Sequence, residues 1–193
     1  MELRILQEEE LIVASGLSRY VFDFCLRNRM EYPQTITFVE DYIAEENLRA
    51  LRAEGKLVLW GVFEGTQLVA VSGIQSDGMI TMLYVLPQWQ NKGYGSRLLK
   101  TMINYGKEVW GFQKVIVNAN PAWTSFFFSK KGFMQINKNQ DMRAPFVPMY
   151  ATSSNIEGYE KRKVKTIWIV LAVVFCFLFT TIAGVLFMIS YLF

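Results

Sequence analysis

The sequence predicts an α+β domain whose sheet is antiparallel over its first strands and gains a parallel pair at the fourth and fifth. Two observations predict it. Three apolar, β-prone runs follow one another with only Glu64-Gly65-Thr66 and Ser76-Asp77-Gly78 between them, and turns this short join antiparallel neighbours. The third run is then followed by an amphipathic helix and a further strand, an order that yields a parallel pair with a right-handed crossover.

The first strand is LRIL, Leu3 to Leu6. In EEELIVASGLSRYVFDFCLRN, Ala14, Leu17, Val21 and Phe24 fall at helical spacing, which predicts an amphipathic helix ending near Asn28. A second helix is read in PQTITFVEDYIAEENLRALRAEG, where Thr37 and Glu40 have capping-box spacing, Gly55 is the stop, and Phe38, Ile43, Leu48 and Leu51 are available for burial. Between the helices, NRMEYPQ carries Glu31 and Tyr32. KLVLWGVF, QLVAVSGI and MITMLYVL form the meander, SRLLKTMINYGKEVW reads as a helix with Leu98, Leu99, Met102 and Ile103 inward, and KVIVNA is the fifth strand. Asn120 and Pro121 suit the cap and first position of a helix through Lys131 that Gly132 ends, and strands near FMQINK and FVPMYA complete the domain.

Composition excludes several chemistries. The chain has no histidine and two cysteines, Cys25 and Cys176. Neither a Ser-His-Asp nor a Cys-His arrangement is available, the histidine and cysteine of a zinc site are lacking, and Cys25 reads as a small core residue. Reactivity must come from a cosubstrate or from backbone groups. The four basic residues of KRKVK, positions 161–165, account for the positive balance, since residues 1–160 carry 16 Lys and Arg against 17 Asp and Glu. The high pI therefore gives no argument for nucleic acid.

From Thr166 to Phe193 no residue is charged over 28 positions, more than the ~18–20 that a bilayer core requires. Trp168 and Tyr191, 23 positions apart, suit two interfaces roughly 35 Å from each other. Basic residues before such a span favour the cytoplasmic side. The expected organisation is a domain over residues 1–151 facing the cytoplasm, a polar then basic linker over 152–165, and a single-pass C-terminal membrane helix over 166–193 in the lipid bilayer.

The stretch LPQWQNKGYGSRLLK places two glycines where a strand hands over to a helix. The first amides of a helix lack intrahelical partners and welcome an anion, and glycine lets backbone approach it. The stretch is neither a P-loop nor a dinucleotide fingerprint, because Leu98 stands where the third glycine belongs. Two glycines alone leave open whether this is a phosphate cradle or a tight turn.

The longer string LYVLPQWQNKGYGSRLL resembles motif A of the GCN5-related N-acetyltransferase (GNAT) superfamily, with Gln90, Gly93 and Gly95 on its [QR]-x-x-G-x-[GA] positions. NPAWTSFFFSKKGF resembles the later motif A-x-x-F-Y-x-K-x-G-F, with Phe127, Lys130, Gly132 and Phe133 matching. The resemblance covers roughly residues 2 to 151. It implies a GNAT fold that binds acetyl-CoA between splayed fourth and fifth strands. The backbone of Leu83, Tyr84 and Val85 pairs with the pantetheine arm, and the amides of Asn91, Lys92, Gly93, Tyr94, Gly95 and Ser96 hold the pyrophosphate. Gln90 and Lys92 are candidates for side-chain contacts, Lys92 being equally a solvated lysine. Asn120 is either a pantetheine contact or a helix cap, and Phe127 belongs to the cofactor wall or the core.

The implied reaction is N-acylation of an amine by direct attack in a ternary complex, without metal. The Val85 amide is the expected donor to the thioester carbonyl. Phe128 stands where the family usually has its general-acid tyrosine, which leaves a non-catalytic acyl-CoA-binding sensor or scaffold as the alternative. Glu31, Tyr32 and Tyr84 are candidates for the base, each with solvation or packing as its competing role. The acceptor amine is not identified by these residues.

Overall fold

The computed structural model describes residues 1–30, 32–120, 122–137, 146–152, 154–155 and 165–167. The chain divides into two units, Met1–Ser153 and Ser154–Phe193. In the first, a seven-stranded sheet has the order β1 (Glu2–Ile5), β2 (Leu57–Glu64), β3 (Gln67–Gln75), β4 (Met79–Val85), β5 (Lys114–Ala119), β7 (Val147–Thr152) and β6 (Met134–Gln135). Only β4 and β5 are parallel, and the other pairings are antiparallel. The turn into β4 needs a left-handed residue, and Gly78 supplies it at φ 87°. Its carbonyl accepts from the Ile116 amide at 3.0 Å, so the same glycine starts the parallel pairing.

Helices cover both faces. On one, α1 (Leu11–Val21), α2 (Pro33–Ile43) and α3 (Glu45–Ala53) close a core in which Leu11, Phe22, Ile43 and Leu48 meet Leu59, Val71, Met82 and Tyr84 of the sheet. On the other, α4 (Tyr94–Val109) buries Leu98, Leu99, Met102 and Ile103, the inward set that its spacing predicts. The short α5 (Ser125–Ser129) precedes Gly132, which ends the turn at φ 88°.

Several readings are corrected. The second helix is two, because Ala44 is extended (ψ 141°) and caps α3. The Asn47 amide donates to the Tyr42 carbonyl at 2.8 Å, satisfying a C-terminal orphan of α2, and Glu45 and Glu46 suit the positive start of α3. The Thr37–Glu40 capping box does not start α2. Pro33 occupies the first position after Tyr32, and Glu40 pairs with Arg27.

Phe24 and Phe38, expected inside, are 69% and 67% exposed. Phe22–Leu26 is a π-helical turn, whose wider pitch moves the inward position from Phe24 to Cys25 and Leu26. Phe38 lies outward on α2 beside Tyr42, a phase separated from α3 by the break at Ala44. The helix expected from Pro121 to Lys131 is shorter, a 3₁₀ turn at Ala122–Thr124 followed by α5.

In the second unit Ser154–Asn155 and Lys165–Ile167 are helical. Among the described residues no helix is long and apolar enough to cross a membrane, and the expected span lies outside them from position 168 onward.

One ion pair ties β1 to the start of α1. Arg4 donates to both Glu10 carboxylate oxygens at 2.6 and 2.7 Å, and the Gln7 amide donates to the same carboxylate. The Arg4 bonds hold Glu10 at about 2, against an ordinary 4.5. A depressed carboxyl contributes stability above its unfolded value and loses it as pH falls towards the folded one. Glu10→Gln is expected to lower Tm by about 2–4 °C at pH 7. The gap from the parent closes between pH 4.5 and about 2, as thermal scans across that range would show.

Candidate functional site

The opening in the sheet follows from register. β4 and β5 pair only at Met79↔Ile116 and Ile80↔Val117. Beyond these, β4 stays on β3 as far as Val85↔Ala70 and β5 stays on β7 as far as Ala119↔Val147. The two strands therefore part after Ile80 and Val117, each following its antiparallel partner.

Which β4 groups face the gap is set by ladder phase. The Leu86 amide donates to the Val69 carbonyl at 3.0 Å. Alternation then turns the polar groups of Tyr84 and Met82 towards β3 and those of Leu83 and Val85 towards the opening. Consistently, the Val85 carbonyl accepts from Gln90 Nε2 at 3.0 Å, leaving the Val85 amide directed into the gap. Of the three residues expected to lend backbone, Leu83 and Val85 are so placed, and Tyr84 is committed to the ladder.

Tyr84's side chain is buried in the helix-covered core. Burial first, then the neighbouring Tyr42, pushes its hydroxyl well above the usual range, so it keeps its proton at neutral pH and is poorly suited to accept one. Glu31 lies outside the described residues. Tyr32 is half-buried at the cap position of α2.

At the end of β4 the chain makes a 3₁₀ turn at Pro87–Trp89, then passes through Asn91 (φ 60°) and Gly93 (φ 88°) into α4. No side chain caps that helix at Gly93. The amides of Tyr94, Gly95 and Ser96 thus have no intrahelical acceptor and converge at the positive end of a 16-residue helix. Nothing lies within 4 Å of a Cβ built on Gly93, whereas one built on Gly95 meets Phe127 Cζ at 3.7 Å and Val85 Cγ2 at 3.8 Å. Phe127, Gly95 and Val85 therefore come together at the head of the opening.

Lys92 Nζ sits over the Trp89 ring at 4.2 Å. The Tyr94 hydroxyl donates to Glu64 Oε1 at 2.6 Å, and the terminal amine of Met1 reaches Glu64 Oε2 at 3.3 Å. This bond holds the Glu64 carboxyl below its usual range and raises Tyr94. Tyr94's side chain is a strut from the loop to β2, which sequence spacing could not show.

Asn120 is half-buried in the bend just past β5. Phe128 is buried against Phe127 and Phe133, with ring centroids 5.2 and 5.4 Å away. Phe126 faces solvent beneath Lys130.

The α1–α2 connection closes this end. Cys25 is half-buried there, and its Sγ accepts from Gln90 Nε2 at 3.7 Å, so it lies beside the loop rather than in the core alone. Arg27 pairs with Asp23 and Glu40, and Arg29 lies over the Trp123 ring. Among the described residues no group of three or more metal-ligating side chains forms.

Residues 26–153 match the family model described as Acetyltransferase (GNAT) domain. No curated protein matches the chain by sequence. Among solved structures the chain is similar to PaiA N-acetyltransferase from Thermoplasma acidophilum in complex with coenzyme A (TM-score 0.64, 17% identity, 79% of this chain and 99% of that one). It is also similar to a predicted acetyltransferase with acetyl-CoA from Clostridium acetobutylicum (0.57, 17%, 72% and 94%). A third is a variant of the spermidine N-acetyltransferase SpeG from Vibrio cholerae (0.54, 17%, 84% and 99%). These likenesses carry the fold, and the family match spans most of the chain: the chain belongs to the GNAT acetyltransferase family.

Proposed function

We propose that the chain is a membrane-anchored N-acyltransferase that uses acetyl-CoA as cosubstrate and acetylates a primary amine in a ternary complex. The parting of β4 from β5 beside an uncapped helix N-terminus carries this reading. Two similar structures hold coenzyme A or acetyl-CoA and a third is a spermidine N-acetyltransferase, which supports the cosubstrate and the amine class.

The residues fit such a group. The amides of Asn91 to Ser96 would hold the pyrophosphate with Lys92 alongside, and Leu83 and Val85 would pair with the pantetheine arm. Asn120 and Phe127 would flank the arm from the β5 side. When bound, acetyl-CoA supplies an already activated acyl thioester. Val85 N–H would donate towards the carbonyl oxygen, where charge develops. Phe127 and Val85, both close to Gly95, would wall the reacting end, and positioning carries much of the acceleration. With Tyr84 buried in the core, removal of the amine proton would fall to water, Glu31 or Tyr32.

Full-length protein with acetyl-CoA and a broad amine panel should release free thiol; no release with any amine would sink the catalytic reading. Gly93→Val forces a β-branched residue into left-handed backbone, a strain of ~1–2 kcal/mol that should weaken CoA binding about five- to thirtyfold. Gly93→Asn, which tolerates that conformation, should stay near the parent by calorimetry.

Phe128 favours a second reading, an acyl-CoA-binding sensor without turnover. If it holds, the parent binds CoA and is silent, and Phe128→Tyr restores thiol release only where the missing acid was the defect.

The uncharged run Thr166–Phe193 behind KRKVK supports a single-pass anchor with residues 1–151 in the cytoplasm. Resistance to alkaline extraction, lost on deleting residues 161–193, is the expected result; release of the intact chain would exclude it.

A further inference from the structure

Arg27 and Arg29 lie together on the α1–α2 connection, and among the described residues only Arg27 meets carboxylates. Arg27 is held by Asp23 and Glu40, so these two carboxylates are neutralised from within the protein. Among the described residues no carboxylate holds Arg29; its guanidinium lies over the Trp123 ring, 5.4 Å from the centroid. Trp123 is 53% exposed, so the stack is open to solvent.

Its position matters more than its chemistry alone. Trp123 belongs to the turn that follows β5, whereas the connection carrying Arg29 packs through Leu26 and Met30 on the core under β4. The stack therefore joins the turn after β5 to the α1–α2 connection. A guanidinium lying on an aromatic face is oriented at little further entropic cost, and its N–H edge stays free for a planar oxyanion. Leu26 and Met30 of the same connection, with Ile36 and Val39 of α2, are partly buried against the core.

We propose that the Arg29–Trp123 stack recognises an anionic group on the acceptor, so that the acceptor is an amine that also carries a carboxylate or a phosphate. This rests on the N-acyltransferase reading and names its substrate class. A polycationic amine would instead meet the positive charge of the Arg29 guanidinium.

The test uses the full chain and matched amines that differ in one group: propylamine against β-alanine, ethanolamine against O-phosphoethanolamine, with spermidine as the polycation. Binding is measured by calorimetry with and without CoA, and kcat/KM by thiol release. The anionic member of at least one pair should be preferred about tenfold, the effect of one charge-assisted hydrogen bond at a solvent-open site. Which pair responds separates carboxylate from phosphate. Arg29→Gln should abolish the preference with CoA affinity and Tm unchanged, and Arg29→Lys should keep part of it. Equal use of both members in both pairs, a preference that survives Arg29→Gln, or spermidine as the best acceptor would overturn the proposal. Loss of CoA binding would instead overturn the acyltransferase reading, and is read separately.

Discussion

Replacing Val85 with proline is expected to lower kcat by about 10²- to 10³-fold, the loss that follows removal of one oxyanion donor, while the fold survives. The reason lies in the ladder. Proline removes an N–H, and in a central strand that usually breaks the sheet. Here the phase set by Leu86 on Val69 turns the Val85 amide away from β3, and β5 has already parted from β4 at that height. The deleted donor is thus one the sheet does not use. Tyr84, the preceding residue, is already extended, as proline requires of its neighbour.

Two controls bracket the claim. Val85→Ala keeps the amide and should retain most activity. Tyr84→Pro removes a donor that the ladder does use and should unfold the domain. Thiol-release kinetics give kcat, and calorimetry with CoA tells whether cosubstrate binding is retained. A folded Val85→Pro protein within threefold of the parent would mean that this amide does not serve the carbonyl.

Short-range chemistry made much of this architecture legible. Gly65 and Gly78 adopt the left-handed φ that their turns require, so the meander could be read from three residues at a time. The strand, glycine stretch and amphipathic helix from Met79 to Val109 follow one another as their composition implies, and the cradle at Gly93 lies within that run. What escaped was decided by distant partners. Nothing in IAEENL marks Ala44 as a break; Asn47 reaching Tyr42 and Leu48 entering the core make it one. Likewise Tyr94 meets Glu64 from 30 positions away and Gln90 meets Cys25 from 65. A π turn has no periodic signature of its own, so Phe24 was placed inward when the wider turn buries Phe22 and draws in Cys25 and Leu26.

That turn also carries a large expected loss of stability. Phe22 is fully buried and among the largest side chains so placed. Phe22→Ala is expected to cost about 3–5 kcal/mol, transfer and cavity together, and to lower Tm by about 6–20 °C. Its functional effect should be one-sided. Phe22 opens the π turn that presents Cys25 to Gln90 and leads into Arg27 and Arg29, and Arg27 itself lies over the Phe22 ring. The loop before α4, by contrast, is braced from β2 through Tyr94 and Glu64. Below its melting point the variant should therefore show a raised acceptor KM with a CoA Kd close to the parent's. Phe22→Leu, which keeps most of the apolar volume, should recover the larger part of both losses. If CoA affinity falls as far as acceptor affinity, the two halves of the site share one support, and the independent bracing by Glu64 is wrong.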